Sequence, residues 1–195
     1  MENIPLFPLK AVLFPRGRMP LQIFEPRYLE LVKDSLKTNS GFGVTWLRQG
    51  SEVSVASQQQ GTKLADVGTY AQIVDWHALD NGLLVVVIEG QKKFRIQRAE
   101  QRVNQLWRAE VTWIEPEPII PIPQHSAELK NLLAQLIEHP HIASLEIDSD
   151  LNDVESLSCV LAQLLPIDES VKYSLLTSDS LTRLEGLMDL LAGME

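Results

Sequence analysis

Residues 66–88, DVGTYAQIVDWHALDNGLLVVVI, indicate the fold more directly than any other part of the chain. The pair Asn81-Gly82 supplies the positive φ angles that a tight hairpin turn requires. The run from Leu83 to Ile88 is apolar on both faces, which is typical of a central, buried strand. We therefore predict a β-hairpin in which a first strand, residues 66–76, pairs with a strand inside a sheet.

Further short strands are predicted on both sides of this hairpin. Trp107, Ala109, Val111 and Trp113 alternate with polar residues, which indicates a half-buried strand. Shorter apolar runs, two of them next to prolines that suit edge or bent strands, lie at residues 4–7, 12–14, 21–24 and 43–47. Several short strands with few helices between them predict a barrel, because closing a sheet removes its exposed edges.

One helix is predicted among these strands. Pro26 suits a first helical position, and apolar residues then follow at helical spacing as far as Leu36. Residues 26–37 should therefore pack one face against the sheet. Residues 49–65 are rich in Gln, Ser and Gly, and they predict a mobile surface excursion.

The chain changes character at a proline-rich connector, where proline fixes φ and removes the N–H donor. Its prolines are Pro116, Pro118, Pro121 and Pro123. Residues 1–115 carry 14 Lys and Arg against 12 Asp and Glu, a net charge of +2, whereas residues 116–195 carry 3 against 14, a net of −11. We therefore predict a barrel over residues 1–115, a connector over 116–123 and a helical bundle over 124–195.

Four helices are predicted after the connector. Apolar stripes at helical spacing lie at residues 129–137, 154–165 and 181–191, and a shorter helix is predicted over residues 169–176. Ser178, Asp179 or Ser180 is the N-cap of the last helix. Because none of these apolar faces is stable in water, the helices should bury one another in a small bundle.

The composition is that of an ordinary globular protein. Of the 195 residues, 45% are hydrophobic and 22% are charged, so disorder is not expected. The formal net charge of −9 argues against a general binder of phosphate backbones. The N-terminus lacks the features of a signal peptide, and the longest aliphatic run is too short to span a bilayer. We therefore expect a soluble, cytoplasmic protein with no membrane partner.

Motifs that would support chemistry are missing or incomplete. No Gly-Lys dipeptide is present for a phosphate-binding loop, and Gly41-Phe42-Gly43 continues to Trp46 where a dinucleotide fingerprint has its third glycine. Neither a Gly-x-Ser-x-Gly elbow nor a serine followed by lysine three residues later occurs. We therefore expect no catalytic residue and no cofactor, although sites assemble in space and an enzyme with an unrecognised site stays an alternative.

The single cysteine and the closely spaced histidines are interpreted as structural residues. Cys159 lies among leucines and valines, which indicates a small core residue, with a reactive thiol as the alternative. His139 and His141 flank Pro140, and without a neighbouring cysteine they indicate a solvated turn at a helix end more than a metal site. We therefore expect no bound metal.

The most basic stretch is Lys92-Lys93-Phe94-Arg95-Ile96-Gln97-Arg98, with Arg102 and Arg108 nearby. It mixes basic and apolar residues, as a surface that follows a nucleic-acid backbone does. The alternative is an amphipathic strand in which Phe94 and Ile96 face inward while Lys93 and Arg95 face outward. The acidic second half makes nucleic acid an unlikely partner.

Five groups of residues, in order along nearly the whole chain, resemble the N-terminal substrate-recognition domain of Lon protease. They are PLKAVLFP (8–15) with PLQIFEPRY (20–28), VGTYAQI (67–73), VIEGQKKFRI (87–96), LLPI (164–167), and LL (175–176) with LTRLE (181–185). The resemblance implies an α+β fold, with an N-terminal PUA-like twisted β-barrel that contains one inserted helix, followed by a C-terminal α-helical bundle.

The resemblance also implies a role. In Lon proteases this domain helps to capture polypeptide substrates and supports assembly, and the ATPase and Ser-Lys protease domains follow it. Because this chain has no phosphate loop, we expect a stand-alone, non-catalytic member without those domains. The expected partners are unfolded or degradation-prone polypeptides, with full-length Lon protease and a weak homo-oligomer as further options.

The matching motifs suggest where such a module binds its partner. Leu21, Phe24, Pro26 and Tyr28 lie at a strand-to-helix corner, and we nominate them as one side of an apolar patch with a polar rim. The simpler interpretation, which we prefer, is that Phe24 and Tyr28 anchor the helix in the core, because apolar residues at helical spacing are usually buried.

Overall fold

The computed structural model describes residues 1–50, 62–148 and 152–193, and in them one curved β-sheet is followed by a group of helices. The strands are β1 (Glu2–Leu9), β2 (Arg18–Ile23), β3 (Phe42–Gln49), β4 (Lys63–Ala78), β5 (Leu84–Gln101) and β6 (Trp107–Trp113). The helices are α1 (Pro26–Thr38), α2 (Ala127–Glu138), α3 (Pro140–Ala143), α4 (Val154–Leu164), α5 (Glu169–Thr177) and α6 (Ser180–Ala192), and a 3-10 turn (Gln124–Ser126) precedes α2. The predicted α+β class is confirmed.

All six strands belong to one sheet in the order β2-β5-β4-β3-β1-β6, and β5 also pairs with β6. β1 and β3 are parallel, and the other neighbours are antiparallel. The long strand β5 curves the sheet, because its first half pairs with β2 and its second half with β6. Pairing therefore runs in a ring through five strands, as predicted for a barrel. The sheet as a whole is not strictly closed, because β2 lies outside the ring as an edge strand.

The predicted hairpin is confirmed. β4 and β5 pair from Ala78 opposite Leu84 onward. Of the pair Asn81-Gly82, only Gly82 has a positive φ (79°), so the expected positive φ at Asn81 is wrong; the N–H of Gly82 donates to the carbonyl of Leu79 at 2.8 Å in the turn. Val86 and Ile88 are fully buried in the part of β5 that lies between β2 and β4. β5 continues to Gln101, well beyond the apolar run. The run ends at Ile88 because one face of the strand meets solvent after that point and polar residues alternate with apolar ones there.

A glycine in the hairpin allows two backbone segments to meet. A Cβ atom on Gly90 would lie 2.1 Å from the carbonyl oxygen of Phe14, which is a steric clash. Only glycine, which has no Cβ, allows the two backbones to approach this closely. Two backbone hydrogen bonds fix the contact: the N–H of Arg16 donates to the Gly90 carbonyl at 2.7 Å, and the N–H of Gly90 donates to the Gly17 carbonyl at 2.9 Å. The loop between β1 and β2 is therefore docked on β5.

The strand predicted at residues 12–14 is wrong. These residues form part of that loop, and all three side chains are buried. The N–H of Val12 donates to Oε2 of Glu169 at 2.6 Å, and the N–H of Phe14 donates to Oε1 of Gln163 at 2.9 Å. The run is apolar because it is covered by both the sheet and the helices, and its backbone donors are satisfied by side chains of the helical half instead of a neighbouring strand.

Helix α1 forms where it is predicted. Pro26 occupies its first turn, and the helix ends at Asn39, whose left-handed backbone (φ 52°) directs its N–H to the carbonyl of Ser35. Tyr28, Leu31 and Val32 lie on its buried face and belong to a core cluster with residues of β1 to β5. This face closes one side of the curved sheet.

The four helices predicted after the connector are confirmed as α2, α4, α5 and α6. Asp153, Asp168 and Asp179 cap the last three, each accepting a hydrogen bond from a backbone N–H of the first turn. Asp179 is thus the N-cap of α6 among the options that the sequence left open. The single turn α3 was not predicted, because apolar spacing carries no signal for a helix of four residues.

The helices and the sheet share a buried apolar cluster. Val12, Phe14, Ala65 and Val67 of the strand half pack with the inner faces of α2, α4, α5 and α6. The connector of residues 116–123 runs between β6 and the 3-10 turn, beside this cluster. The division of the chain into two folding units stays a prediction.

A buried ionic cluster, Lys93, Glu117 and Arg183, also connects the sheet to the helices. The ionic cluster and the shared apolar cluster together are called the joint below. Nη2 of Arg183, a fully buried side chain, donates to both carboxylate oxygens of Glu117 at 2.8 and 3.0 Å. The ammonium group of Lys93 donates to the same carboxylate and to the carbonyl of Leu176. The prediction that Lys93 faces solvent is therefore wrong, because the helical half covers this side of β5.

Two further predictions concern the surface. Gln49 ends β3 and Lys63 begins β4, so the predicted excursion at residues 49–65 is shorter at both ends, and residues 51–61 lie outside the described residues. Within the described residues, no helix combines the length and apolar character needed to cross a membrane.

Candidate functional site

The strand-to-helix corner nominated from the sequence borders a groove. It has a volume of about 190 Å³ and is called the corner groove below. It lies where β2 leads into α1, beside the end of β1. Its lining residues are Phe7, Leu9, Pro20, Leu21, Gln22, Phe24, Glu25 and Tyr28. Three of the four nominated residues line it, whereas Pro26 is exposed at the start of α1 and does not.

The two nominated aromatic residues differ in burial. Tyr28 is 5% exposed and stacks on Phe7 with ring centroids 3.9 Å apart, so the interpretation of Tyr28 as a core anchor is confirmed. Phe24 is 55% exposed and lies outside the buried clusters, so the same interpretation of Phe24 is wrong. Phe24 follows the last residue of β2 and precedes α1, where neither the sheet nor the helix covers it.

A buried ion pair holds the corner in place. Arg27 is 8% exposed, and its guanidinium group lies 3.2 Å from the Glu25 carboxylate and 4.4 Å from the centre of the Tyr28 ring. Nη1 of Arg27 also donates to the carbonyl of Gln105, in the loop between β5 and β6, at 2.9 Å. These contacts tie the first turn of α1 to the loop between β5 and β6, beside the exposed aromatic ring of Phe24 at the rim of the groove.

Sequence reasoning missed the residues that β1 contributes to the groove. Phe7 and Leu9 reach the corner because β1 pairs in parallel with β3, and α1 comes directly before β3 in the chain. No local pattern joins β1 to α1, since the contact is tertiary. The apolar residues on both sides of Pro8 are the available signal, and the predicted strand at residues 4–7 includes Phe7 but not Leu9.

The basic stretch that raised nucleic-acid binding is largely occupied by contacts within the chain. Arg95 pairs with Asp66 at 3.3 Å, and Nζ of Lys92 lies 3.5 Å from the centre of the Trp113 ring. Phe94 is fully buried. These contacts favour the amphipathic-strand interpretation, with Lys93 buried in the ionic cluster as described above.

The remaining candidate residues, Cys159, His139 and His141, differ in burial. Cys159 is 1% exposed, burial raises the pKa of its thiol to about 12, and its Sγ accepts a hydrogen bond from Arg183. His139 and His141 are both exposed, with ring centroids 5.5 Å apart at the end of α2 and in α3. Over residues 1–50, 62–148 and 152–193, no group of three or more His, Cys, Asp or Glu side chains is arranged to hold a metal ion.

A family model matches nearly the whole chain. The family model of the ATP-dependent protease La (LON) substrate-binding domain matches residues 3–193. The chain belongs to this family. The resemblance stated from the motifs is therefore confirmed, and the LON substrate-binding domain extends over almost the whole sequence.

Solved structures and curated relatives agree with this assignment. The LON domain resembles the crystal structure of the Lon N-terminal domain protein from Xanthomonas campestris, with 32% sequence identity and a TM-score of 0.73. The match covers 97% of this chain and 98% of that chain. The N-terminal domain of Mycobacterium avium complex Lon protease shares the fold, with 16% identity, a TM-score of 0.62, 96% coverage of this chain and 97% of that one.

Among the curated relatives, Lon protease 2 of Myxococcus xanthus is 24% identical over 97% of this chain, and the match covers 23% of that protein. Lon protease of Anaeromyxobacter dehalogenans is 25% identical over 69% of this chain and 16% of that protein. The chain thus spans less than a quarter of the length of these two relatives.

Proposed function

We propose that this LON substrate-binding domain is a non-catalytic recognition module that binds segments of unfolded or degradation-prone polypeptides in the corner groove. The observation that carries the proposal is Phe24, an exposed aromatic side chain at the rim of an apolar groove in a domain of the substrate-binding family. Exposed aromatic residues beside a groove are common anchors of protein interfaces.

The chemistry of the corner groove suits an unfolded segment. Its floor is apolar, and the exposed Gln22 provides a polar rim, whereas the Glu25 carboxylate is occupied by Arg27. β2 is the edge strand of the sheet, but Pro20 has no N–H to pair with an added strand. Recognition should therefore depend on apolar side-chain contacts, which many client sequences can provide.

The finer form of the proposal is an adaptor or mild holdase that works without ATP. In this role the domain holds a client weakly and cooperates with full-length Lon protease. Support comes from the family membership alone, because the curated relatives named above are much longer proteases. A pull-down from nuclease-treated extract, with the purified chain as bait, should recover short-lived proteins or Lon protease, and loss of Phe24 should reduce the recovery.

The direct test of the corner groove is a binding titration. The probe is a dye-labelled polypeptide that is kept unfolded by reduction and carboxymethylation of its disulfides, and binding is followed by fluorescence anisotropy without nucleotide. We expect Phe24→Asp to weaken binding about tenfold, the effect of losing one well-placed interface anchor. The matched control is Val103→Asp, which makes the same change at a fully exposed apolar residue between β5 and β6.

Both variants should melt within a few degrees of the wild type, because both side chains are exposed. Equal affinities for all three proteins would remove the corner groove as the client site. If Phe24→Asp is unfolded, the milder Phe24→Ser takes its place, with Val103→Ser as its control. Binding that depends steeply on salt and is competed by RNA would support the nucleic-acid alternative instead.

A further inference from the structure

A second groove lies between α2 and α6 and shares no lining residue with the corner groove. It is called the helical groove below. Its volume is about 450 Å³, more than twice the 190 Å³ of the corner groove. Leu129 and Leu132 of α2 face Met188 and Leu191 of α6 across it, and the proposed client site does not use it.

The helical groove has the shape and chemistry of a seat for a third helix. Each helix contributes two large apolar residues spaced three apart, which therefore lie on one face of that helix. α2 and α6 have 12 and 13 residues, which at about 1.5 Å per residue gives a length of about three helical turns. Leu132, Met188 and Leu191 are only partly buried, and methionine adapts readily to an incoming side chain.

The charge of the helical half, to which the helical groove belongs, is one-sided. Within residues 116–148 and 152–193, Lys130 is the one exposed Lys or Arg, because Lys172 and Arg183 are buried and paired with Glu169 and Glu117. Glu128 lines the groove itself. The exposed carboxylates of this part of the chain are Glu128, Glu138, Glu146, Asp148, Asp168, Asp179, Glu185 and Asp189.

We propose that the helical groove docks an amphipathic helix of a partner protein, whose apolar stripe is flanked by Lys and Arg. The leucine and methionine side chains would receive the stripe, and Glu128 with its acidic neighbours would attract the flanking cations. The same face of a second copy fits poorly, since residues 116–195 carry a net charge of −11. Nucleic acid and anionic lipid surfaces are repelled by the same field.

The test uses an 18-residue, dye-labelled helical peptide with leucines at positions i, i+3, i+4 and i+7 and lysines elsewhere. Its matched control has glutamates in place of the lysines. We expect the lysine peptide to bind the full chain and the glutamate peptide not to bind. Glu128→Lys should weaken binding roughly fivefold at physiological salt, because an attraction at the rim becomes a repulsion.

Glu138→Lys supplies the matched protein control. It makes the same charge change on the same helix, about 15 Å further along, which exceeds the Debye length of about 8 Å at physiological salt. Equal weakening by Glu128→Lys and Glu138→Lys would mean diffuse attraction and would overturn the proposal, as would absence of binding. Phe24→Asp should bind the lysine peptide with the affinity of the wild type. The experiment therefore distinguishes failure of the helical-groove proposal from failure of the corner-groove proposal. Self-association that the lysine peptide displaces would instead assign the groove to a second copy.

Discussion

Removal of the Glu117 carboxylate should loosen the joint between the sheet and the helices. In Glu117→Ala, the fully buried Arg183 loses two hydrogen bonds of 2.8 and 3.0 Å, and Lys93 loses its ion pair. Two buried cations then lie close together with no carboxylate hydrogen-bonded to either. A broken buried ion pair costs about 3–5 kcal/mol of unfolding free energy, mainly because the remaining charge is desolvated.

The structure places the expected loss towards the lower end of that range. Arg183 keeps two carbonyl partners, Leu175 and Ser178, each at 3.3 Å. We therefore expect a loss of about 3 kcal/mol, which lowers the melting temperature of a chain of this size by roughly 6–12 °C. Urea denaturation followed by tryptophan fluorescence measures the free energy, and an unchanged m-value would show that the unfolded state is not affected.

The control for this measurement is Glu115→Ala, two residues away in the chain. Glu115 is exposed, and its removal should change the free energy of unfolding by less than about 0.5 kcal/mol. A loss in Glu117→Ala below about 1 kcal/mol, or equal to that of the control, would refute the reasoning. It would mean that water replaces the carboxylate and that the three residues do not fasten the joint.

Three further changes have defined outcomes. Burial raises the pKa of Glu155, so its ionised form opposes folding. Glu155→Gln should therefore have the same free energy of unfolding as the wild type near pH 3.5 and a larger one at pH 7, as measured by urea denaturation at both pH values. The Tyr173 hydroxyl donates to Asp66 at 2.6 Å and holds the pKa of that carboxyl below its usual value. Tyr173→Phe should therefore lose about 1 kcal/mol at pH 7, and the deficit should shrink as the pH falls through the lowered pKa of Asp66. Gly90→Ala should cost about 3 kcal/mol or more, because its Cβ would lie 2.1 Å from the Phe14 carbonyl oxygen; a melting temperature within 2 °C of the wild type would contradict this.

Local patterns predict the elements of this fold well and their surroundings poorly. The Asn81-Gly82 turn, the helix that begins at Pro26 and the four longer helices after the connector follow from turn chemistry, capping and apolar spacing. The predictions for residues 12–14 and for Lys93 are wrong for one shared reason, because the helical half covers these residues. No local pattern states which face of a strand a distant helix will bury.

The corner groove was predicted in part for the same reason. Leu21 and Phe24 belong to one local motif, and the structure keeps them together beside Tyr28. The wall from Phe7 and Leu9 depends on the pairing of β1 with β3, which sequence spacing does not reveal. The exposure of Phe24 also depends on tertiary structure, since a core anchor and an exposed rim residue look alike in an apolar motif.

Helix α6 shows how the domain can keep its joint and its outer surface separate. Arg183 and Leu187 on one face are fully buried, in the ionic cluster and the shared apolar cluster respectively. Met188 and Leu191 on the next face are partly buried and line the helical groove. A partner in the helical groove would therefore contact side chains that the joint does not require. For this reason charge reversal at Glu128 should mainly change binding, with a stability cost of no more than about 1 kcal/mol from its place in the first turn of α2, whereas removal of Glu117 should change stability first.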